Sequence, residues 1–435
     1  MCALYARRSS SGLFLITFFA CAVWESPAFP NHPQMTEDYS ALDGPECHLE
    51  TVLVYSQQHN PALQAARERV RAASEHPLQA AALDDPVLSY EGFNIPENFA
   101  FTRTDNTILK LSQKFPFPGK RRLRREIATR EIAIAEAELR LVEMTIRTEV
   151  TKAYSDLWQA HQHLRIYARE KELMAQCATI AEKKYAVGQA SQPDVLRAQV
   201  ELTRLVTRVT TETLRLEEIT ATLNGLLSRS PEATLGVPRD MPTSEVELTF
   251  AELTELTLKN RPEIVGHSEA MERDTSVLAL ARKASFPDFE VAAARFFNAA
   301  RKDGVGVMFS ATIPLANREK YDAGVAEARA RLNARKADLR AAQDTALAEV
   351  KRALVRARTA VELLHLFTQI HIPQAEQSLA SSRLSYQTGN LDFLSLIDSL
   401  RGIEQVHLEH VGAAADLARA YADLERAVGQ VLPRK

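Results

Sequence analysis

His161 with His163, and Glu404 with His407, are the spacings in this sequence that could ligate a metal or move a proton. The two histidines are two residues apart, so on a helix their rings point in different directions and cannot share an ion. Glu404-x-x-His407 has the spacing of half a carboxylate-bridged metal site, but the second Glu-x-x-His and the bridging glutamates are missing. A solvated or lumen-facing helix position is the better reading of that pair. Cys2, Cys21, Cys47 and Cys177 form no Cys-x-x-Cys, so neither a zinc nor a redox motif is supported. With no nucleophile, base and metal set, the expectation is a non-enzyme without a cofactor. The basic run Lys120-Arg121-Arg122-Leu123-Arg124-Arg125 would point to nucleic acid in a cytosolic protein. The formal charge of −3, from 53 basic and 56 acidic residues, gives no such preference. If the chain is exported, the run begins a helix beside a membrane, where headgroup contact and a plain solvated first turn both stay open.

Export is what the N-terminus implies. Arg7 and Arg8 precede an apolar run from Gly12 to Val23, which has signal-peptide length and is too short to span a bilayer. Residues 1–28 are therefore assigned to a signal peptide. Phe18-Phe19-Ala20-Cys21 resembles a bacterial lipobox, with Phe18 where Leu is usual. Lipidation of Cys21 and ordinary cleavage near Ala22 or Ala28 are the two outcomes. Past this segment no stretch approaches the ~18 apolar residues of a spanning helix. Only 15 glycines argues against an all-β fold, and long Ala-, Leu-, Glu- and Arg-rich stretches argue for long helices.

The elements that must carry any site come in duplicate. Asn60-Pro61 matches Arg261-Pro262, Pro86 matches Pro287, and Tyr185-Ala186-Val187-Gly188 matches Tyr386-Gln387-Thr388-Gly389, each 201 residues on. Leu111 to Pro116 matches Phe309 to Pro314 at 198, a slip attributed to a shorter loop. Four matches in order define a first repeat over 49–228, a linker over 229–249 (with Pro231, Pro238 and Pro242) and a second repeat over 250–430. Each repeat reads as a short helix (about 49–80 and 250–283), two strands, and a long helical hairpin. Val305, Val307, Phe309, Ala311 and Ile313 alternate with small or polar residues apart from Met308, as do Leu109 and Leu111, and Leu88 and Tyr90, giving strands with one apolar face. Loops are expected at about 94–106 and 298–304. Residues 119–183 make a single helix of about 98 Å at 1.5 Å per residue. Its stripe Leu139, Val142, Ile146, Val150, Ala153, Leu157, and the stripe Leu202, Val206, Val209, Thr213, Leu216, Thr220, Leu223 after the turn, step by three and four as coiled coils do.

A four-stranded sheet cannot lie in lipid with open edges, because each unpaired backbone group costs several kcal/mol. Three chains would supply twelve strands, an even number within the known barrel range, and twelve long helices around the same axis in pseudo-six-fold array. At this point the chain resembles the TolC-like outer-membrane efflux family over essentially its whole mature length. The specific signs are the two Tyr-x-x-Gly turns and Asp194-Val195-Leu196 six residues beyond Gly188. Phe115-Pro116-Phe117-Pro118-Gly119-Lys120-Arg121 is similar to the branch serving heavy-metal resistance-nodulation-division pumps. The resemblance implies a mainly α fold with a small β part, a homotrimeric outer-membrane barrel and a periplasmic α-barrel. Its partners would be a periplasmic adaptor, an inner-membrane pump and outer-membrane lipid, with no nucleic acid. It also implies adaptor docking at the hairpin tips Val187-Gly188-Gln189 and Thr388-Gly389-Asn390. In the family, acidic rings six and nine residues past the second glycine can form a periplasmic gate; here those positions are Ser395 and Asp398, so one ring, of Asp398, is expected. The alternative is a periplasmic coiled-coil structural or adaptor protein with no membrane barrel.

Overall fold

The computed structural model describes residues 42, 44–93, 106–239, 241, 248–298, 302–313 and 318–433. The candidate signal peptide with Cys21, the loops expected near 94–106 and 298–304 (apart from their ends) and part of the linker lie outside the described residues. The first half runs β1 (Glu46–Cys47), α1 (Leu49–His59), α2 (Pro61–Ala81), β2 (Val87–Phe93), β3 (Asn106–Phe115), α3 (Lys120–Ala186) and α4 (Gln192–Leu226). The second runs β4 (Val237–Pro238), α5 (Phe250–Asn260), α6 (Pro262–Lys283), β5 (Asp288–Asn298), β6 (Gly304–Thr312), α7 (Arg318–Leu366), a π-helical turn (Phe367–His371), α8 (Ile372–Gln387) and α9 (Phe393–Val428).

Each half opens with two helices where the pattern promised one. Pro61 and Pro262 stand at the first helical position, where no N–H is needed, and force the residue before them out of helix: Asn60 and Arg261 both have ψ of 121°. The displaced residue is then used as a brace. Asn60 accepts from the Ala62 N–H at 2.9 Å and donates to the Leu226 carbonyl at 2.9 Å. Arg261 donates to the Ala427 carbonyl at 3.3 Å. Leu226 and Ala427 are themselves 201 residues apart, so the sequence spacing is also a spacing of contacts.

The four longer strands form one antiparallel sheet in the order β2-β3-β5-β6. Residues directly opposite one another share a face. Leu88, Leu111, Ala293 and Val307 fall in one such row, and Gln113, Val291 and Phe309 in the next. The other face carries Ser89, Lys110 and Ser112, with Lys110 and Glu290 3.9 Å apart. The apolar face lies open: Val305 and Val307 are each 79% exposed and Phe309 68%. β2 and β6 are edges with no partner strand among the described residues.

α3 is a single helix of 67 residues, packed along its length by α2, α4, α6 and α9. Its expected stripe is largely the buried one, with Ile146, Val150, Ala153 and Leu157 in the core beside Tyr154 and Trp158. The stripe expected on α4 holds at every other step, where Leu202, Val209, Leu216 and Leu223 pack into the cores. Val206 and Thr213 are exposed, and the buried line runs through Ala198, Glu201, Leu205, Glu212 and Leu223. The counterpart of α3 is interrupted by the π turn, just before Pro373. The slip to 198 at the strands returns to 201 by Tyr386, so three residues are regained inside this helix; a π turn, which houses an extra residue, takes up part of that excess. Midway along, β1 pairs in parallel with β4, and Tyr154 donates from its hydroxyl to the Cys47 carbonyl at 2.7 Å. Cys47 and Cys177 are buried free thiols, and burial pushes the Cys47 thiol up to about 11.

Candidate docking tips and channel neck

Both hairpin turns are built by the same bonds. Gly188 N–H donates to the Tyr185 carbonyl at 3.0 Å and Gln189 N–H to Lys184 at 2.7 Å; Gly389 donates to Tyr386 at 3.2 Å and Asn390 to Ser385 at 2.9 Å. The glycines hold φ of 73° and 83°, and a Cβ added at either would meet nothing within 4 Å. Conformation alone, not crowding, asks for glycine here. The outgoing helices are capped by one pair of residue types in opposite order. Ser191 donates to the Asp194 carboxylate at 2.8 Å, whereas Asp392 accepts from the Ser395 hydroxyl at 2.5 Å. Val187, Gly188, Gln189, Thr388, Gly389 and Asn390 are all exposed.

The tips differ in what lies behind them. Tyr185 is exposed, while Tyr386 is buried against Phe393, their rings 5.4 Å apart. Lys184 from the first hairpin sits over the Tyr386 ring, 4.3 Å from its centre, and donates to its carbonyl. Burial, with Asp194 and Cys177 nearby, pushes the Tyr386 phenol up. A core of Met174, Cys177, Ala198, Leu205, Phe393 and Leu400, among others, joins the four helices just behind the turns.

Deeper along the hairpins a ladder of charges links α4 to α9. Arg401 binds the buried Glu201 carboxylate, with its Nε 3.3 Å from Oε2, and Arg208 pairs with the buried Glu404. Burial acts to raise the Glu201 carboxyl, and the bonds from Arg401 and Arg204 outweigh it, holding the group below the usual carboxylate range. Asp398 lies on the exposed side, 3.6 Å from Arg401. One rung further, His163 Nδ1 lies 3.2 Å from buried Glu212, linking α3 to α4.

Two readings of the sequence are thereby corrected or sharpened. Glu404 is not solvated: it is 6% exposed and held by a guanidinium, because α9 turns it toward α4. His161 and His163 do diverge, His163 entering the core and His161 lying half-buried, where burial and Arg165 lower its pKa. Among the described residues no group of three or more histidine, cysteine or carboxylate side chains could hold a metal. The Arg401–Glu201 and Arg208–Glu404 rungs escaped the sequence reading. The available signal was a pair of glutamates, Glu201 and Glu212, close to an apolar stripe.

Two long helical hairpins hung from an open-edged sheet give this chain the fold of channels that join a helical barrel to a β-barrel. The chain belongs to the family described as "Outer membrane efflux protein", whose model matches residues 52–227 and 253–430. It is thus a transport duct and not an enzyme. The cobalt-zinc-cadmium resistance protein CzcC of Cupriavidus metallidurans is 23% identical over 394 residues, spanning 88% of this chain and 90% of the relative. Among solved structures, CusC superposes with a TM-score of 0.77 at 18% identity, over 88% of this chain and 92% of its own. The outer-membrane channel OprN gives 0.75 at 20% identity, over 88% and 89%.

Proposed function

We propose that three copies of this chain close a twelve-stranded barrel in the outer membrane and a helical tube beneath it in the periplasm. This duct passively exports substrates delivered by an adaptor and an inner-membrane pump. The observation that carries the reading is the state of the single chain's flanks. β2 and β6 leave their backbone groups unpaired, and the outer faces of α4 and α7 leave Leu196, Val200, Leu214, Val355 and Leu363 exposed. Closure by further copies would satisfy both at once. Divalent transition-metal cations are the proposed cargo, on the similarity to CzcC. The two repeats over 49–228 and 250–430 would alternate around the tube.

The test is the oligomeric state of the mature protein extracted from outer membranes. A trimer that resists dissociation until heated supports the reading. A stable membrane-inserted monomer, or a protein found wholly in the periplasmic fraction as the coiled-coil alternative requires, would refute it. Docking at the tips is tested by replacing Gln189 and Asn390 with bulky charged residues; unchanged adaptor cross-linking would move docking elsewhere. Lipidation of Cys21 is tested by mass spectrometry of the mature N-terminus, where an unmodified start after Ala22 or Ala28 excludes it.

A further inference from the structure

We propose that the sheet end of α3 carries a binding surface for anionic phospholipid headgroups, formed by Arg122, Arg124 and Arg125 beneath an aromatic row at the strand ends. The inference rests on the membrane-duct reading above and adds the chemistry of the lipid.

The aromatic row marks the level. Phe115 lies directly opposite Phe289, and the Phe289 and Phe309 rings are 5.8 Å apart, all on the apolar face of the sheet. Phe117 stacks on Phe286 at 4.6 Å one step closer to the helices. Aromatic girdles at the end of an apolar band sit at the headgroup level of a bilayer, and α3 starts at that level.

Of the basic run, the first two members are used by the fold. Lys120 donates to the Asp288 carboxylate at 2.8 Å and the Phe286 carbonyl at 3.0 Å, and Arg121 donates to the Ala81 carbonyl at 2.7 Å. Arg122, Arg124 and Arg125 are exposed, with no carboxylate at ion-pair distance among the described residues, and Arg124 acts on Asp288 only at longer range. Their place is costly for the helix itself, since cations oppose the positive end of the macrodipole. The first turn of α3 holds no acidic residue and Gly119 offers no side-chain cap. The matching helix α7 has Glu319 in its first turn. Arg122 and Arg125, three residues apart on one face of the helix, would hold one phosphate between them while Arg124 meets a neighbouring headgroup, and phosphates so placed would offset the repulsion at this uncapped helix start. At that depth, below an aromatic girdle, the phosphate to hand is a phospholipid headgroup.

The experiment uses the mature protein in zwitterionic detergent, titrated with phosphatidylglycerol or phosphatidylcholine, with bound lipid counted by native mass spectrometry. Wild type should retain phosphatidylglycerol preferentially. Arg122→Gln/Arg124→Gln/Arg125→Gln should lose that preference by on the order of tenfold or more, each basic group near an anionic surface being worth roughly a factor of five. A control, Arg165→Gln/Arg169→Gln/Lys171→Gln, removes the same charge from the middle of α3 and should keep the preference. An unchanged Arg122/Arg124/Arg125 variant, or equal loss in both variants, would overturn the proposal. So would displacement of the lipid by millimolar inorganic phosphate, which would mark a free-anion site. Carbonate extraction from phosphatidylcholine vesicles separates the two readings. An Arg122/Arg124/Arg125 variant that stays inserted but loses lipid preference supports both, and a wild type that washes out sinks the membrane reading itself.

Discussion

The two halves of the chain are built to one plan and finished differently. In the first, α3 runs unbroken from strand to tip and the tip tyrosine, Tyr185, is exposed. In the second, the equivalent helix is broken by the π turn at Phe367–His371, and its tip tyrosine, Tyr386, is buried under Lys184 of the first half. The brace at the helix break is a neutral Asn60 in one half and a charged Arg261 in the other, which also binds Glu263 and Glu349. Bonds that make the turns are alike in both halves, whereas the braces inside each half and the groups behind the tips have diverged. Duplication therefore supplies the geometry, and substitutions at the braces and behind the tips supply the asymmetry.

The largest effect should come from the two braces. Arg261→Ala removes a guanidinium that is 6% exposed and leaves the Ala427 carbonyl and two carboxylates without their partner. Because Glu263 and Glu349 are about a third exposed, roughly 3 kcal/mol of destabilisation is expected, the lower end for a buried pair. Asn60→Ala loses one cap and one hydrogen bond, about 1–2 kcal/mol. Denaturant unfolding of both variants checks the order. Equal losses would show that the braces differ in chemistry but not in weight.

The Glu201–Arg401 rung should come next. Glu201→Gln keeps the shape and drops the charge, at about 1–2 kcal/mol after allowing for the half-exposed arginine. Its signature is in pH. The folded carboxyl lies below its ordinary value of 4.5, so its stabilisation is present above that pH and disappears as pH falls through the folded value. Wild type should lose stability on acidification below about 4.5, and Glu201→Gln should show a shallower loss. Parallel profiles would remove the rung from the account.

Gly188→Ala and Gly389→Ala test the likeness of the tips. Both positions have positive φ and open space, so each substitution should cost about 1 kcal/mol, and by the same amount. A much larger cost at Gly389, read by thermal unfolding, would mean that the buried Tyr386 couples the second turn to its neighbour hairpin.

How much of this was legible in the sequence follows from what each feature depends on. The tips were legible because a Tyr-x-x-Gly turn is local, and its recurrence 201 residues on fixes its place in the plan. The strands' apolar face was legible because alternation reports directly on which face of a strand is apolar. The helix breaks were written in Pro61 and Pro262 and passed over, although a proline at the first helical position ends what precedes it. The π turn left only a numerical trace, the return of the offset from 198 to 201, which a loop could explain until the helix was seen to contain it. The charge ladder was beyond local pattern. Glu201 and Arg401 lie 200 residues apart, and a glutamate beside an apolar stripe looks like a surface residue until its partner is known.

The smallest effect, and the one that bears on the neck, belongs to Asp398. It lies nine residues past Gly389, exposed on α9, and three copies around a closed tube would bring three carboxylates toward one axis. The neighbouring Arg401 weakens that field, yet its closer partner is the buried Glu201, so much of the Asp398 charge is left to act outward. An exposed pair three residues apart is worth about 0.2–0.5 kcal/mol, so Asp398→Asn should leave unfolding nearly unchanged. A ring of like charge at a constriction favours counter-ions, and its removal should lower cation preference in single-channel recordings by about twofold and weaken block by multivalent cations. Arg401→Gln should do the reverse at the neck while destabilising the ladder, because it strips the cation that Asp398 faces among the described residues and one partner of Glu201. If Asp398→Asn changes neither selectivity nor block, the aspartate faces away from the pore, and the neck must be set by the packing of the hairpins alone.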